Sequence, residues 1–326
     1  MSDGGTGRGE SPRRGLVLGA GGVLGAAWAM GALAALEDHV GFDARDADVL
    51  LGTSAGSVLA ALLAAGLPTS VLLDNQRGVP LPGGLGLSWD HDTSTGGALP
   101  ARPPLRIGSG ELLRRASRRE VPLRTGFWAV VPPGRRTLEP LGRVIDEVVG
   151  AGAWAPRDGV RIVALDYVTG ERVAFGAADA PPATLCQAVC ASCAIPGWFA
   201  PVTIGGRVYV DGGTRSAASV DLVAADGLDE VFVLAPLASL ELDRPTGVAA
   251  RLERRWRRLV TARTLAEAEL VRTAGARVTV ICPGREDLEV IGPNLMDPSR
   301  RLDVVETALR TTPRALRRAA AGVTRS

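Results

Sequence analysis

Lysine is absent from this chain: all 37 basic residues are arginine. That excludes a Walker A phosphate loop, a Schiff-base lysine and a lysine general base. Histidine is nearly absent. His39 and His91 are the two present, which argues against a histidine-rich metal site and leaves few candidates for base chemistry. Four cysteines in 326 residues make no disulfide scaffold. A strong net charge is also missing, and +2 leaves no whole-chain electrostatic footprint for nucleic acid. What is present looks ordinary for a globular chain. Hydrophobic residues at 46% and charged residues at 22% exclude disorder as the dominant state. The length allows one large domain or two ordinary ones.

Three cysteines, Cys186, Cys190 and Cys193, fall at C-x3-C-x2-C, a spacing that can hold an iron–sulfur cluster. On a helix the same positions are i, i+4 and i+7, one buried stripe in which cysteine acts as a small hydrophobe. We take the stripe as the reading. Residues 15–36 and 49–73 are uncharged and long enough to cross a bilayer. Glycine clusters break both runs, and neither carries an aromatic belt. A buried strand feeding through a glycine turn into a buried helix accounts for the same hydropathy.

Residues 1–12 read as a disordered tail and 13–326 as one domain. Leu16-Val17-Leu18 predicts a strand, then a glycine loop and a helix over 26–37. Val49-Leu50-Leu51 predicts a second strand, then a helix to about Ala65. Such alternation indicates an α/β sheet that is largely parallel. Residues 74–135 form an irregular insert or lid with a short helix near 111–118, and Trp89, Phe127 and Trp128 are its lipid-facing candidates. An amphipathic helix follows, marked by Leu141, Val144, Ile145 and Val148. Two hairpins are expected, 160–166 with 171–175 and 202–204 with 208–210. Strands at 231–234 and 278–281 flank a long arginine-rich helix. Its apolar row of Leu252, Trp256, Leu259 and Val260 is expected to pack onto the sheet, leaving the arginines in solvent. Docking of that row on an anionic membrane is the alternative.

Gly52-Thr53-Ser54-Ala55-Gly56 fits G-x-S-x-G, the sharp strand-to-helix turn that exposes a serine hydroxyl. With 41 glycines, chance alone gives roughly a quarter of a match, so the motif by itself is weak. Its context strengthens it, because Ser54 falls at a helix amino end where the dipole stabilises negative charge. The plainer reading is a helix cap by Thr53 or Ser54. Gly19-Ala20-Gly21-Gly22-Val23-Leu24-Gly25 is a second loop entering a helix, with unpaired N–H groups for an anion. That anion could be a dinucleotide pyrophosphate, although Leu24 breaks the strict G-x-G-x-x-G. It could instead be an acyl-transfer oxyanion held by the N–H groups of Gly21, Gly22 and Val23. Asp211 ends an apolar strand before Gly212-Gly213, either as a turn aspartate or as a rigidly held base. A Ser-His-Asp triad needs a late histidine, and neither His39 nor His91 follows Asp211. If Ser54 is a nucleophile, its base is Asp211 directly.

Together these residues resemble the patatin-like phospholipases. The loop Gly19 to Gly25, the elbow Gly52 to Ser57 and the Asp211-Gly212 pair stand in that family's order. Ala191-Ser192-Cys193-Ala194-Ile195-Pro196 and Gly292-Pro293-Asn294-Leu295-Met296-Asp297-Pro298 are also similar. The likeness spans about 14–310, apart from much of 74–135. One position departs, with Leu24 standing where the family loop usually carries Arg or Lys, and a catalytically weak lipid-binding or regulatory protein is the alternative reading that this departure prompts. The resemblance implies a three-layer α/β/α sandwich with a mainly parallel central sheet. It also implies lipid acyl-ester hydrolysis by a Ser54–Asp211 dyad, with Gly21, Gly22 and Val23 as the oxyanion loop. No metal or cofactor is implied. The implied partner is a phospholipid or related lipid ester, met by peripheral membrane contact from the cytoplasm, and not nucleic acid.

Overall fold

The computed structural model describes residues 11–79, 99–102, 104, 106–241, 243 and 245–320. Strand β1 (Arg14–Leu18) leads into α1 (Gly22–Val40), and β2 (Val49–Thr53) leads into α2 (Ala55–Ala64) and α3 (Thr69–Gln76). Helices α4 (Gly110–Ser117), α5 (Leu123–Val130) and α6 (Glu139–Val149) precede the hairpin β3 (Val160–Asp166) and β4 (Arg172–Phe175). Then come α7 (Leu185–Cys193), β5 (Val202–Ile204), β6 (Arg207–Asp211) and β7 (Glu230–Leu234). The chain continues through α8 (Val248–Thr273), β8 (Arg277–Ile281), α9 (Arg285–Ile291) and α10 (Arg301–Ala320).

One sheet runs β5-β6-β3-β2-β1-β7-β8, with β4 also paired to β3. Its middle, β3-β2-β1-β7-β8, is parallel, and the β4, β5 and β6 pairings are antiparallel. Side chains alternate across the strands. Leu16, Leu18, Leu50, Ile162 and Leu234 join the core made with α1, α2, α7 and α10. Val17, Leu51, Val163 and Val233 face Ala268 and Val271 of α8 on the other side. The expected three-layer α/β architecture is therefore present. Burial on both faces explains why these strands read as unbroken apolar runs.

The two uncharged runs are β1–α1 and β2–α2–α3. Helix α1 is apolar nearly all round because it lies between the sheet and α10. At Gly31 the two helices approach so closely that a Cβ would sit 2.7 Å from the Val305 carbonyl oxygen. No helix among the described residues is long and apolar enough to cross a membrane. Cys190 and Cys193 are buried in the core and Cys186 packs against it from α7, the arrangement expected of a stripe. Residues 106–135 are more ordered than expected. The pair α4–α5 packs Leu112, Ala116, Val121 and Ala129 against Leu165, Tyr167 and Val210. Residues 1–10 of the tail, Trp89 and His91 lie outside the described residues.

Helix α8 overturns one expectation. Leu252, Trp256 and Leu259 do not pack onto the sheet; they are 63%, 41% and 72% exposed. The buried face carries Arg254, Arg257, Thr261 and Thr264 instead. Periodicity reported the apolar row correctly but not which way it faces. Buried ion pairs set the rotation: Arg254 pairs with Asp243 and Glu253, and Arg257 pairs with Glu253. Arg257 also donates to the carbonyls of Pro236 and Ala238. A paired and hydrogen-bonded guanidinium can be buried where a lone one cannot.

Candidate active site

Ser54 sits between the end of β2 and the start of α2 with φ 53° and ψ −123°. A non-glycine residue with positive φ is held there only by its surroundings. Both motif glycines serve that turn. A Cβ at Gly56 would lie 2.0 Å from the Leu18 carbonyl oxygen, and one at Gly52 would lie 2.6 Å from the Gly56 oxygen. The Ser192 hydroxyl accepts the Ser54 N–H at 2.8 Å and donates to the Val163 carbonyl at 2.6 Å. The Ser57 hydroxyl donates to the Ser54 carbonyl at 2.6 Å. Neither Thr53 nor Ser54 caps α2: Ser54 makes no side-chain cap bond, and Thr53 Oγ1 has no partner among the described residues. The capping explanation for the motif therefore fails. The Ser54 hydroxyl is left to the site.

Asp211 ends β6, which pairs with β3 so that Asp211 stands opposite Ala164. In the same strand β3, Val163 stands opposite Thr53. One strand thus separates the aspartate from the elbow at the same level. Asp211 is 4% exposed, and no cation pairs with it among the described residues. Burial pushes its carboxyl up to about 7, against the lowering effect of hydrogen bonds from the Ser54 side chain and the Gly213 N–H. The latter bond is 2.7 Å long. A carboxylate half-ionised near neutrality is a competent base in a way that one with pKa near 4 is not.

The glycine loop closes the arrangement. Gly19 N–H donates to the Leu234 carbonyl and Ala20 N–H to the Ala217 carbonyl, while Leu24 N–H donates to the Leu295 carbonyl. The N–H groups of Gly21, Gly22 and Val23 donate to no carbonyl among the described residues. Helix α1 begins there without a side-chain cap or an acidic residue in its first turn, and α2 shares both features. Two helix amino ends free of negative charge are suited to a developing anion. Gly22 has φ +61°, and a Cβ there would lie 3.0 Å from Met296 Sδ. Leu24 is fully buried in the core above the sheet, so the position that departs from the family pattern is a packing residue here. Its backbone still helps hold the loop.

The three motifs converge. Gly56 packs on the carbonyls of Leu18 and Gly19, a Cβ on Gly213 would lie 3.1 Å from Ala20 Cβ, and Ser54 reaches Asp211. His39 is exposed near the far end of α1, roughly 25 Å along the helix from Gly22 at 1.5 Å per residue. Sequence reasoning missed Ser192, which holds the elbow's N–H, and the roles of Leu295 and Pro236. A Cβ at Gly21 would lie 2.9 Å from Pro236 Cβ. Ser192 and Leu295 lie in stretches whose likeness was visible, but their use depends on contacts across the fold.

The patatin-like phospholipase profile matches residues 16–224, more than half of the chain. No curated protein matches. Among solved structures, the chain is similar to VipD from Legionella pneumophila at 14% identity and TM-score 0.46, over 94% of this chain and 67% of that one. It is also similar to the type III effector protein ExoU at 19% identity and TM-score 0.40, over 95% of this chain and 53% of that one. A third similar structure is the heterodimeric complex ExoU–SpcU from Pseudomonas aeruginosa, at 19% identity and TM-score 0.32, over 93% of this chain and 52% of that one. The chain spans about half the length of ExoU and about two-thirds that of VipD. With the profile covering the glycine loop, the elbow and Asp211 in one segment, the dinucleotide reading falls. The chain belongs to the patatin-like phospholipase family and is, at the level of that family, a lipid acyl hydrolase.

Proposed function

We propose that this protein cleaves fatty-acyl ester bonds of phospholipids or related lipids through a Ser54–Asp211 dyad. The observation that carries the reading is a serine hydroxyl on a strained elbow beside a buried carboxyl that no cation pairs among the described residues and whose pKa is raised to about 7. Ser54 Oγ attacks the ester carbonyl while its proton passes to Asp211. The N–H groups of Gly21, Gly22 and Val23 hold the oxyanion. Collapse of the tetrahedral intermediate expels the alcohol, which takes the proton from Asp211. Water then attacks the acyl-enzyme with Asp211 again as base, releasing the fatty acid and restoring Ser54. Membrane lipid as substrate places the enzyme at a bilayer surface at least transiently. All four cysteines are free thiols, which fits a reducing compartment such as the cytoplasm.

A fluorophosphonate probe tests the reading directly. It should label wild type on Ser54, identified by peptide mass, and leave Ser54→Ala unlabelled. Ser54→Ala and Asp211→Ala should each lower ester turnover by at least about 10³-fold, with the double variant barely worse. His39→Ala should stay within roughly tenfold of wild type. Full turnover in folded Asp211→Ala would refute the dyad.

A further inference from the structure

Helix α8 is built inside out in its amino-terminal half. Arg254 and Arg257 point inward and are tied to Asp243, Glu253 and main-chain carbonyls. The outward face carries Leu252, Trp256 and Leu259 at i, i+4 and i+7, after an exposed Val248. Arg251, Arg255 and Arg258 form a second exposed row, offset by one residue and so running alongside the first. Arg255 and Arg258 have no acidic partner among the described residues. Glu253, the carboxylate nearest to these rows in sequence, is bound internally to Arg254 and Arg257. The buried ion pairs fix the rotation of the helix, so the exposed apolar row is a feature of the folded state.

Position adds to pattern. At 1.5 Å per residue, 26 residues make a helix of roughly 39 Å, whereas five-residue strands are roughly 17 Å long. Ala268 and Val271 in the carboxyl half cover the sheet. The amino half therefore runs past the carboxyl ends of the parallel strands, the edge that carries Ser54. There Val260 packs against Ala20, Ala217 and Leu237. Arg257 grips the Pro236 carbonyl, and Pro236 packs against Gly21 and Gly25 of the glycine loop. The buried face of α8 thus reaches that loop through Arg257 and Pro236, while the exposed rows lie on the outer side of the same helix.

We infer that the outer face of α8, residues 248–259, is a docking surface for an anionic phospholipid bilayer, with the leucines and Trp256 inserted and the arginines on phosphates. An apolar row flanked by arginines, with a polar and ion-paired opposite face, has the amphipathicity of helices that lie in the bilayer interface. A second copy of the chain fits less well, because facing α8 helices would set unpaired arginine rows against each other. Helix α5 also exposes a row, Leu123, Phe127 and Val130, but with Arg124 as its one arginine. The inference draws on the proposed function for the substrate's location; the surface itself is read from α8 alone.

The test is co-sedimentation of the full chain with vesicles of phosphatidylcholine plus phosphatidylglycerol, and of phosphatidylcholine alone. Soluble short-chain ester turnover and sedimentation velocity are measured on the same preparations. Wild type should bind the anionic vesicles and bind neutral ones weakly. Reversing the solvent-facing row in Arg251→Glu/Arg255→Glu/Arg258→Glu should weaken anionic binding by on the order of 100-fold. Leu252→Ser/Leu259→Ser should also lose binding, since insertion needs the apolar row. Both variants should keep short-chain turnover within about twofold of wild type, because neither row enters the site. Wild-type sedimentation in either variant overturns the inference, as does a wild type that ignores anionic vesicles. Loss of binding in Leu123→Ser/Phe127→Ser but not in the α8 variants would move the surface to α5. A wild-type dimer turned monomer by Leu252→Ser/Leu259→Ser would make the face a self-interface. Vesicle binding through α8 without any ester turnover would sink the dyad and leave the docking surface standing.

Discussion

A single buried carboxyl connects the acid–base chemistry of this site to the stability of the fold. Asp211 is neutral in the folded protein up to about pH 7, although an unfolded aspartate ionises near its ordinary value of 3.8. As the base of the proposed dyad it would work ionised, so kcat/KM should rise about tenfold per pH unit below 7 and level off above it. The stability effect has the opposite sense. Between pH 3.8 and 7 the folded state binds more protons than the unfolded state, so stability falls as pH rises through that window and stays lowered beyond it. Asp211→Asn removes the ionisation and keeps an oxygen for the Gly213 N–H. It should raise stability at pH 8 by on the order of 2–4 kcal/mol, while abolishing turnover. Denaturant melts at pH 8 and below pH 4 check this, because the gain should vanish at the acid end. An inactive variant no more stable than wild type at pH 8 would mean that the carboxyl is not held neutral by burial.

Among the structural elements, the elbow depends on a side chain from a helix far along the chain. Ser192 on α7 bridges the Ser54 N–H and the Val163 carbonyl, joining β2, β3 and α7 at one hydroxyl. Ser192→Ala leaves both buried groups unpaired and should destabilise the fold by about 2–4 kcal/mol. Its turnover should fall through kcat more than KM, since the substrate-binding surface is untouched while the Ser54 backbone is released. A variant with wild-type kcat would show that the elbow holds its geometry unaided. The strands, the two hairpins, the α1 and α2 segments and the two residues that the fold brings together, Ser54 and Asp211, were legible in sequence, because each left a local mark: a period, a glycine pair or a motif. Ser192 lay in a stretch whose likeness was visible, but nothing there disclosed its role, which exists only once α7 lies against β2 and β3. The roll of α8 was misread for a related reason. Apolar periodicity assumes that the greasy side turns inward, but guanidiniums tied to Asp243, Glu253 and main-chain carbonyls reverse that preference. The short helix expected near 111–118 is α4, but α5 and the packing of the pair onto Leu165, Tyr167 and Val210 were hidden by the Pro, Gly and Arg content around them.

At the scale of the whole molecule, the contacts that build the candidate site are not confined to the segment 16–224 that matches the family. Strand β1 pairs with β7 on one side, Gly19 donates to Leu234, and Leu24 donates to Leu295. Pro236 and Met296 press on the loop glycines, and α10 closes over α1 at Gly31. A chain cut after residue 290 keeps Ser54, Asp211 and every motif glycine through Gly213, yet should not react with fluorophosphonate. Labelling of that truncated chain at the wild-type rate would show that the loop forms without its late supports. The same arrangement sets a timetable for the protein's birth. The ribosome delivers Ser54 early and the last brace of the glycine loop, Met296, some 240 residues later, at the elongation rate of the cell. Until residue 296 has emerged and folded back, the nascent chain holds a serine and an aspartate but no assembled enzyme.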